Sequence, residues 1–295
     1  MIQNSMLNSQ NVTVRSELGN MQVVEYAKDM SVSKLSARKE FFCSQMNVQR
    51  RQLLVNLNGG SVIIQAGAMQ WMAGNVEMNS GIKGAGDFLG KMVTSKMTGE
   101  TTVKPVYHGN GQLMLEPTYR HILLIDLANW GGGVVLDDGL FLACDGNVQQ
   151  RVVARNNLSS AVLGGEGLFN LCLTGQGVAA LESVVPMEEV IEVQLNNDIM
   201  KIDGNMAMAW SPSLEFTVEK SSKSLIGSAV SGEGLVNVYR GSGTIWLAPV
   251  MLTGGSAGQT SYTQTAATGP TGSTAAKSGV MDTVDKISGI MNLFS

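Results

Sequence analysis

Gly164–Leu181 reads GGEGLFNLCLTGQGVAAL, and a closely similar run, SGEGLVNVYRGSGTIWLAP, spans Ser231–Pro249. Gly165-Glu166-Gly167-Leu168 aligns with Gly232-Glu233-Gly234-Leu235, 67 residues on. A weaker third copy, TGETTVKPVYHGNGQLMLEP, lies upstream at Thr98–Pro117, with Gly99-Glu100 in place of the Gly-Glu pair. The triplets Gly109-x-Gly111, Gly175-x-Gly177 and Gly241-x-Gly243 follow one another at steps of 66 residues. Self-similarity at a fixed period marks a repeated structural unit. The chain therefore divides into β unit 1 (50–118), β unit 2 (119–185) and β unit 3 (186–252), after a polar N-terminal segment, 1–49. The expected fold is all-β, with three similar antiparallel units.

Composition supports short strands joined by tight turns. The hydrophobic fraction is 44% and the charged fraction 15%, which describes a globular chain with ample core. The 35 glycines punctuate apolar runs instead of following a collagen-like period. Net charge is −4 and the only adjacent basic pairs are Arg38-Lys39 and Arg50-Arg51, so no basic face for nucleic acid is expected. Cys43, Cys144 and Cys172 are far apart, and the last two sit in apolar runs, FLACDG and FNLCLTG. They read as buried, inert thiols in a reducing compartment. No signal peptide, transit peptide or apolar run of about 18 residues is expected, so the chain reads as cytoplasmic.

Along the chain, Met21–Val24 and Phe41–Val48 read as strands, while residues 1–20 are too polar to define an element. RRQLLVNL, Arg50–Leu57, runs into Asn58-Gly59-Gly60, a hairpin signal, with Ser61–Gln65 as the return strand. In AGAMQWMAGNVEM, Ala66–Met78, Gly74-Asn75 reads as a turn between two strands. The stretch 81–97 breaks the β rhythm and reads as a Gly-rich insert. His121–Ala128, HILLIDLA, reads as a covered strand, and Trp130–Gly133 as a turn. Asp145-Gly146-Asn147 and Asp203-Gly204-Asn205 pair with Ala66-Gly67-Ala68 as a second landmark of the repeat.

The triplet glycines Gly109, Gly111, Gly175, Gly177, Gly241 and Gly243 suggest tight reversals that need positive φ or close backbone approach. Glu100, Glu166 and Glu233 recur with them. One reading makes these three a ring of carboxylates for a cation or basic partner; the other has each accepting turn amides. His108 reads as a solvated turn histidine and His121 as a structural one at a strand end. No cysteine–histidine cluster has zinc spacing, and GAGDFLGK, Gly84–Lys91, lacks the Ser or Thr of a phosphate loop. Asp137-Asp138 and Glu188-Glu189 read as solvated. Trp71, Trp130, Trp210 and Trp246 read as packing residues. No catalytic residue, metal ligand or cofactor site is expected.

Residues 253–278 are Gly, Ser, Thr and Ala with almost no apolar bulk, a flexible linker. In 279–295, Val280, Val284, Ile287, Met291 and Phe294 recur at spacings of three and four, an apolar stripe on a C-terminal amphipathic helix.

The A-G-A-M segment with its Gly-rich follower, combined with the two G-E-G-L segments, resembles the mitochondrial biogenesis, or altered-inheritance-of-mitochondria, family over roughly residues 50–250. The resemblance implies a fold grouped with the tryptophan RNA-binding attenuation protein: β-sandwiches of the double-stranded β-helix type, here three in pseudo-threefold arrangement. It also implies a link to inner-membrane organisation in mitochondrial members, and carries no catalytic residue. The expected function is a non-enzymatic scaffold or interaction protein with a protein partner or itself, and with peripheral membrane contact through the tail. Neither nucleic acid nor a small-molecule substrate is among its expected partners. The alternative is a ligand- or RNA-binding module using clefts between β units.

Overall fold

Leu53, Val55 and Leu57 recur at every second position, so an extended backbone carries them on one face. All three are buried in one core cluster, joined by Val62 and Ile64 from further along the same strand. The inward parity passes from odd to even numbers because one extra residue is inserted between Asn58 and Ser61. Burying each such side chain stabilises the fold by about 1.5–3 kcal/mol.

The computed structural model of this chain describes residues 5–79, 104–154, 169–203, 205–220 and 235–250. All lie within Met1–Ser256, the first of two compact units into which the chain divides. The second unit, with Val280, Val284, Ile287, Met291 and Phe294, lies outside the described residues, as do the insert 81–97 and Glu100, Glu166 and Glu233. The N-terminal part forms β1 (Val12–Leu18), β2 (Met21–Tyr26) and α1 (Ala37–Gln45). Next come β3 (Arg51–Ile64), β4 (Met69–Asn79) and β5 (Val106–Leu115). The middle holds β6 (His121–Asp126), β7 (Gly133–Leu136), β8 (Phe141–Asp145), β9 (Gln149–Ala154), β10 (Phe169–Thr174) and β11 (Val178–Ser183). The last described part holds β12 (Ile191–Asp203), β13 (Ala207–Trp210), β14 (Glu215–Lys220) and β15 (Leu235–Leu247).

These strands build two antiparallel sheets. One runs β1-β2-β3-β8-β11-β6, with β5 also on β3 and β4 on β5; the other runs β12-β15-β13-β7-β10-β9, with β14 also on β15. A core between them gathers Leu136, Phe141, Leu173, Leu181 and Met208. Trp130 meets Trp246 there edge to face, with ring centroids 5.0 Å apart. A second aromatic group, Trp210, Phe216 and Tyr239, fills the space beside β15. The tryptophans are thus packing residues, with Trp71 half-buried beside Leu54 and Met114. Cys144 and Cys172 are buried as expected, and burial pushes the Cys144 thiol up to about 12.

Several local expectations are corrected. Phe41–Val48 is not a strand: Ala37–Gln45 is helical, and its two phenylalanines face solvent. Residues 12–18 form an edge strand that polar, outward side chains conceal in the sequence. Asn58-Gly59-Gly60 is a bulge, not a hairpin, because β5 pairs with β3 on both sides of it and Gly59 takes φ 77°. Gly74-Asn75 does not end a strand either; Gly74, at φ 93°, lets β4 bend and continue. Asp137 is buried rather than solvated, because its carboxylate accepts from Asn205 Nδ2 at 2.9 Å. Asp145-Gly146-Asn147 lies between β8 and β9, and Ala66-Gly67-Ala68 between β3 and β4.

The Gly-x-Gly triplets are bends in strands, not reversals. Gly109 and Gly111 lie inside β5, Gly241 and Gly243 inside β15, and Gly175–Gly177 joins β10 to β11. That last bend carries the chain from the seven-stranded to the eight-stranded sheet. The reason for glycine is close approach. A Cβ on Gly109 would sit 2.1 Å from the Asn75 carbonyl oxygen, and its φ of 128° excludes most side chains. Gly109→Ala is therefore expected to cost about 3 kcal/mol or more. Gly60→Ala, where a Cβ meets nothing within 4 Å, should stay within about 1 kcal/mol. Urea denaturation of both variants checks this; equal midpoints would refute the close-approach account.

Candidate functional site

Arg51 opens β3 and is 2% exposed, an expensive place for a charge unless every donor is met. Its Nε donates to Glu25 Oε2 at 2.7 Å, across the β2–β3 pair. Its Nη2 donates to Asn47 Oδ1 at 2.8 Å and to the Asn47 carbonyl at 3.1 Å. Its Nη1 reaches the carbonyls of Gln49 at 3.3 Å and Arg120 at 3.5 Å. Asn47 follows the last turn of α1 and takes φ 61°, a left-handed conformation that asparagine tolerates. The buried guanidinium therefore fixes the exit of α1 onto β3. Nearby, Arg50 lies over the Tyr26 ring at 4.3 Å, and Tyr119 donates to Asp29. That hydrogen bond to Asp29 pushes the Tyr119 hydroxyl up to about 12.

Arg51 borders a cleft of about 500 Å³ walled by Arg15–Leu18 of β1, His121–Leu124 of β6 and Pro186–Glu188. Arg15 pairs with Glu188 at 2.7 Å, both more than half exposed, so this pair is worth about 0–1 kcal/mol. Burial, and then the charge of Arg51, lower the His121 pKa to about 4. His121 is therefore neutral at pH 7. It stands at the first position of β6, the strand end that the sequence indicates. Of the charged groups that line this cleft, Arg15 and Glu188 pair with each other, Arg51 is held by Glu25 behind it, and Glu17 accepts from Gln22 at 3.0 Å.

His108 is not in a turn: it pairs across strands with Glu77, its Nε2 3.7 Å from that carboxylate, and both are half exposed or more. Among the described residues, no group of three His, Cys, Asp or Glu side chains is placed to hold a metal ion. The six triplet glycines are spread over β5, the β10–β11 bend and β15, and form no common site.

The sequence reading missed a surface feature on and beside α1. Leu35 (98% exposed), Phe41 (60%), Phe42 (57%) and Met46 (77%) leave large apolar side chains in solvent. Phe41 and Phe42 touch edge to face, with ring centroids 5.5 Å apart. Lys34, Arg38 and Lys39 are exposed beside them. The basic pair and double phenylalanine in ARKEFF were the available signal; treating Phe41–Val48 as a strand hid their shared surface.

Two antiparallel sheets joined through a glycine bend, with a cleft beside Arg51 and a helix that exposes two phenylalanines, define the architecture. The chain belongs to the mitochondrial biogenesis AIM24 family, whose model matches residues 44–250. It is similar to an uncharacterised protein of Streptococcus pyogenes serotype M6, 32% identical over 198 residues, which span 64% of this chain and 77% of that protein. It is also similar to a crystal structure of a Streptococcus pyogenes protein, 26% identical, with a TM-score of 0.53. That match covers 78% of this chain and 94% of the other.

Arg51→Met leaves the Glu25 carboxylate, only 13% exposed, without its partner. A loss of about 3–5 kcal/mol is expected in urea denaturation, against less than about 1 kcal/mol for Arg15→Met. His121 adds a pH dependence. Its folded pKa, about 4, lies below the ordinary 6.5, so the unfolded state binds more protons between those values. Its contribution is complete above pH 6.5 and lost as pH falls toward 4. His121→Gln should lose less stability than the parent between pH 7 and pH 5; parallel losses would show that His121 is not desolvated.

Proposed function

We propose that this protein is a non-enzymatic scaffold or interaction protein made of three related β units, and that it works by presenting surfaces. The observation that carries this reading is the exposure of Phe41 and Phe42 on α1, which touch each other, and of Leu35 and Met46 just beyond its ends. Apolar patches of this kind mark contact sites, because leaving them in water forfeits burial energy. The flanking Lys34, Arg38 and Lys39 suit an anionic surface, as in interfacial helices. The apolar stripe of Val280, Val284, Ile287, Met291 and Phe294, on a long polar tether, supplies a second contact. A cytoplasmic setting, with peripheral membrane contact or a protein partner, is the corresponding placement.

Strand geometry supports the three-unit description. Gln70 in β4, Leu142 in β8 and Met208 in β13 are each the extra residue of a bulge against the strand that follows a Gly-x-Gly bend. The cleft beside Arg51 favours a second reading, a ligand site where β1 and residues 186–188 meet the start of β6.

The test is co-sedimentation with vesicles of phosphatidylcholine and phosphatidylglycerol. The full chain should pellet. Phe41→Ser with Phe42→Ser should reduce the bound fraction several-fold, and truncation after Leu252 should reduce it further. Light scattering on the same proteins reports self-association. A full chain that neither pellets nor associates, with both variants unchanged, would remove this reading.

A further inference from the structure

We infer that β12 of one copy of this chain pairs with β4 of a second copy, in a register already used twice within the chain. The inference rests on the three-unit description above and adds the partner and the atoms. β3 joins β8 through Ile63 opposite Cys144 and Ile64 opposite Ala143. β7 joins β13 through Val135 opposite Trp210 and Leu136 opposite Ala209.

These two seams are the same seam. Val106 stands opposite Ile63 and Cys172 opposite Val135, and Val106 and Cys172 occupy the same position before their Gly-x-Gly bends. Val238 holds that position in β15 and stands opposite Lys201. On the other side, Leu113, Ala179 and Ile245 are equivalent, and stand opposite Met72, Cys144 and Trp210. The next seam in the series therefore sets Lys201 opposite Met72 and Ile202 opposite Trp71.

Both edges are on offer. Among the described residues β4 pairs only with β5, and β12 only with β15. Where the seam is filled, Cys144 and Trp210 are 0% and 4% exposed; Met72, at the same position, is 45% exposed. Ile199, at the start of the matching stretch of β12, is 54% exposed. One chain thus carries an edge of each kind. Such a heterologous contact propagates from copy to copy until a ring closes. Lys201 on the exposed edge also restrains promiscuous pairing, which leaves register to decide the partner.

The test uses two full-length single variants in a Cys43→Ser background, Met72→Cys and Lys201→Cys. Opposed cysteines on neighbouring antiparallel strands lie within disulfide reach. Mixed and mildly oxidised, they should give a species of twice the 31.3 kDa chain mass on a non-reducing gel, absent from either variant alone. Circular dichroism melts of each variant confirm that it folds. A double variant that locks only within one chain would overturn the inference by closing the ring inside a single copy. Folded variants without any cross-link would also overturn it. Vesicle binding through Phe41 and Phe42 survives either result, so the scaffold reading and the seam fail separately.

Discussion

The constraint on which this structure depends is the close passage of backbone at the Gly-x-Gly bends. Gly109 leaves no room for a Cβ against β4, and the Gly175–Gly177 bend moves one continuous run out of one sheet and into the other. The Gly175–Gly177 bend lets one run pair with β7 and β9 before it and with β8 and β6 after it. The bulges at Gln70, Leu142 and Met208 take up the resulting mismatch on the neighbouring strands. Bends and bulges together explain how short apolar segments can cover two sheets without a long helix between them.

Against that backbone, the polar cluster around Arg51 is a local solution to a different problem. A strand that begins beneath a helix exit needs its first residue buried, and the sequence supplies arginine. Five hydrogen-bond contacts to Glu25, Asn47, Gln49 and Arg120 make the charge tolerable. The same contacts tie Asn47 in place, so α1 and its phenylalanines are held at a defined point on the body. The buried ion pair and the exposed aromatic patch are linked in this way, although they differ in every property.

Much of the β architecture was legible because apolar alternation and glycine spacing are both local signals. HILLID reads as a strand and is one, and the apolar runs FLACD and FNLCLT prove to be strands as well. What was not legible depended on partners distant in sequence. Asn58-Gly59-Gly60 carries the chemistry of a hairpin, and only the presence of β5 on both flanks makes it a bulge. Asp137 looked solvated because nothing nearby announces Asn205, 68 positions away. Gly109-x-Gly111 was rightly read as a place of close approach, yet its outcome, bend or reversal, is set by β4. The candidate surface on α1 was hidden for the same reason: exposure of Phe41 and Phe42 is a property of the packed body, not of the segment.

The run from Phe169 to Ser183 has a consequence for how the molecule assembles in time. Its first half completes one sheet and its second half the other. Neither sheet can therefore finish while the other is absent, and neither can melt alone without straining the shared run. Most of the strand partners are remote along the chain, so ordering is slow to begin. Once begun, the shared run couples the two sheets, so that a disturbance at its glycine bend is felt in both.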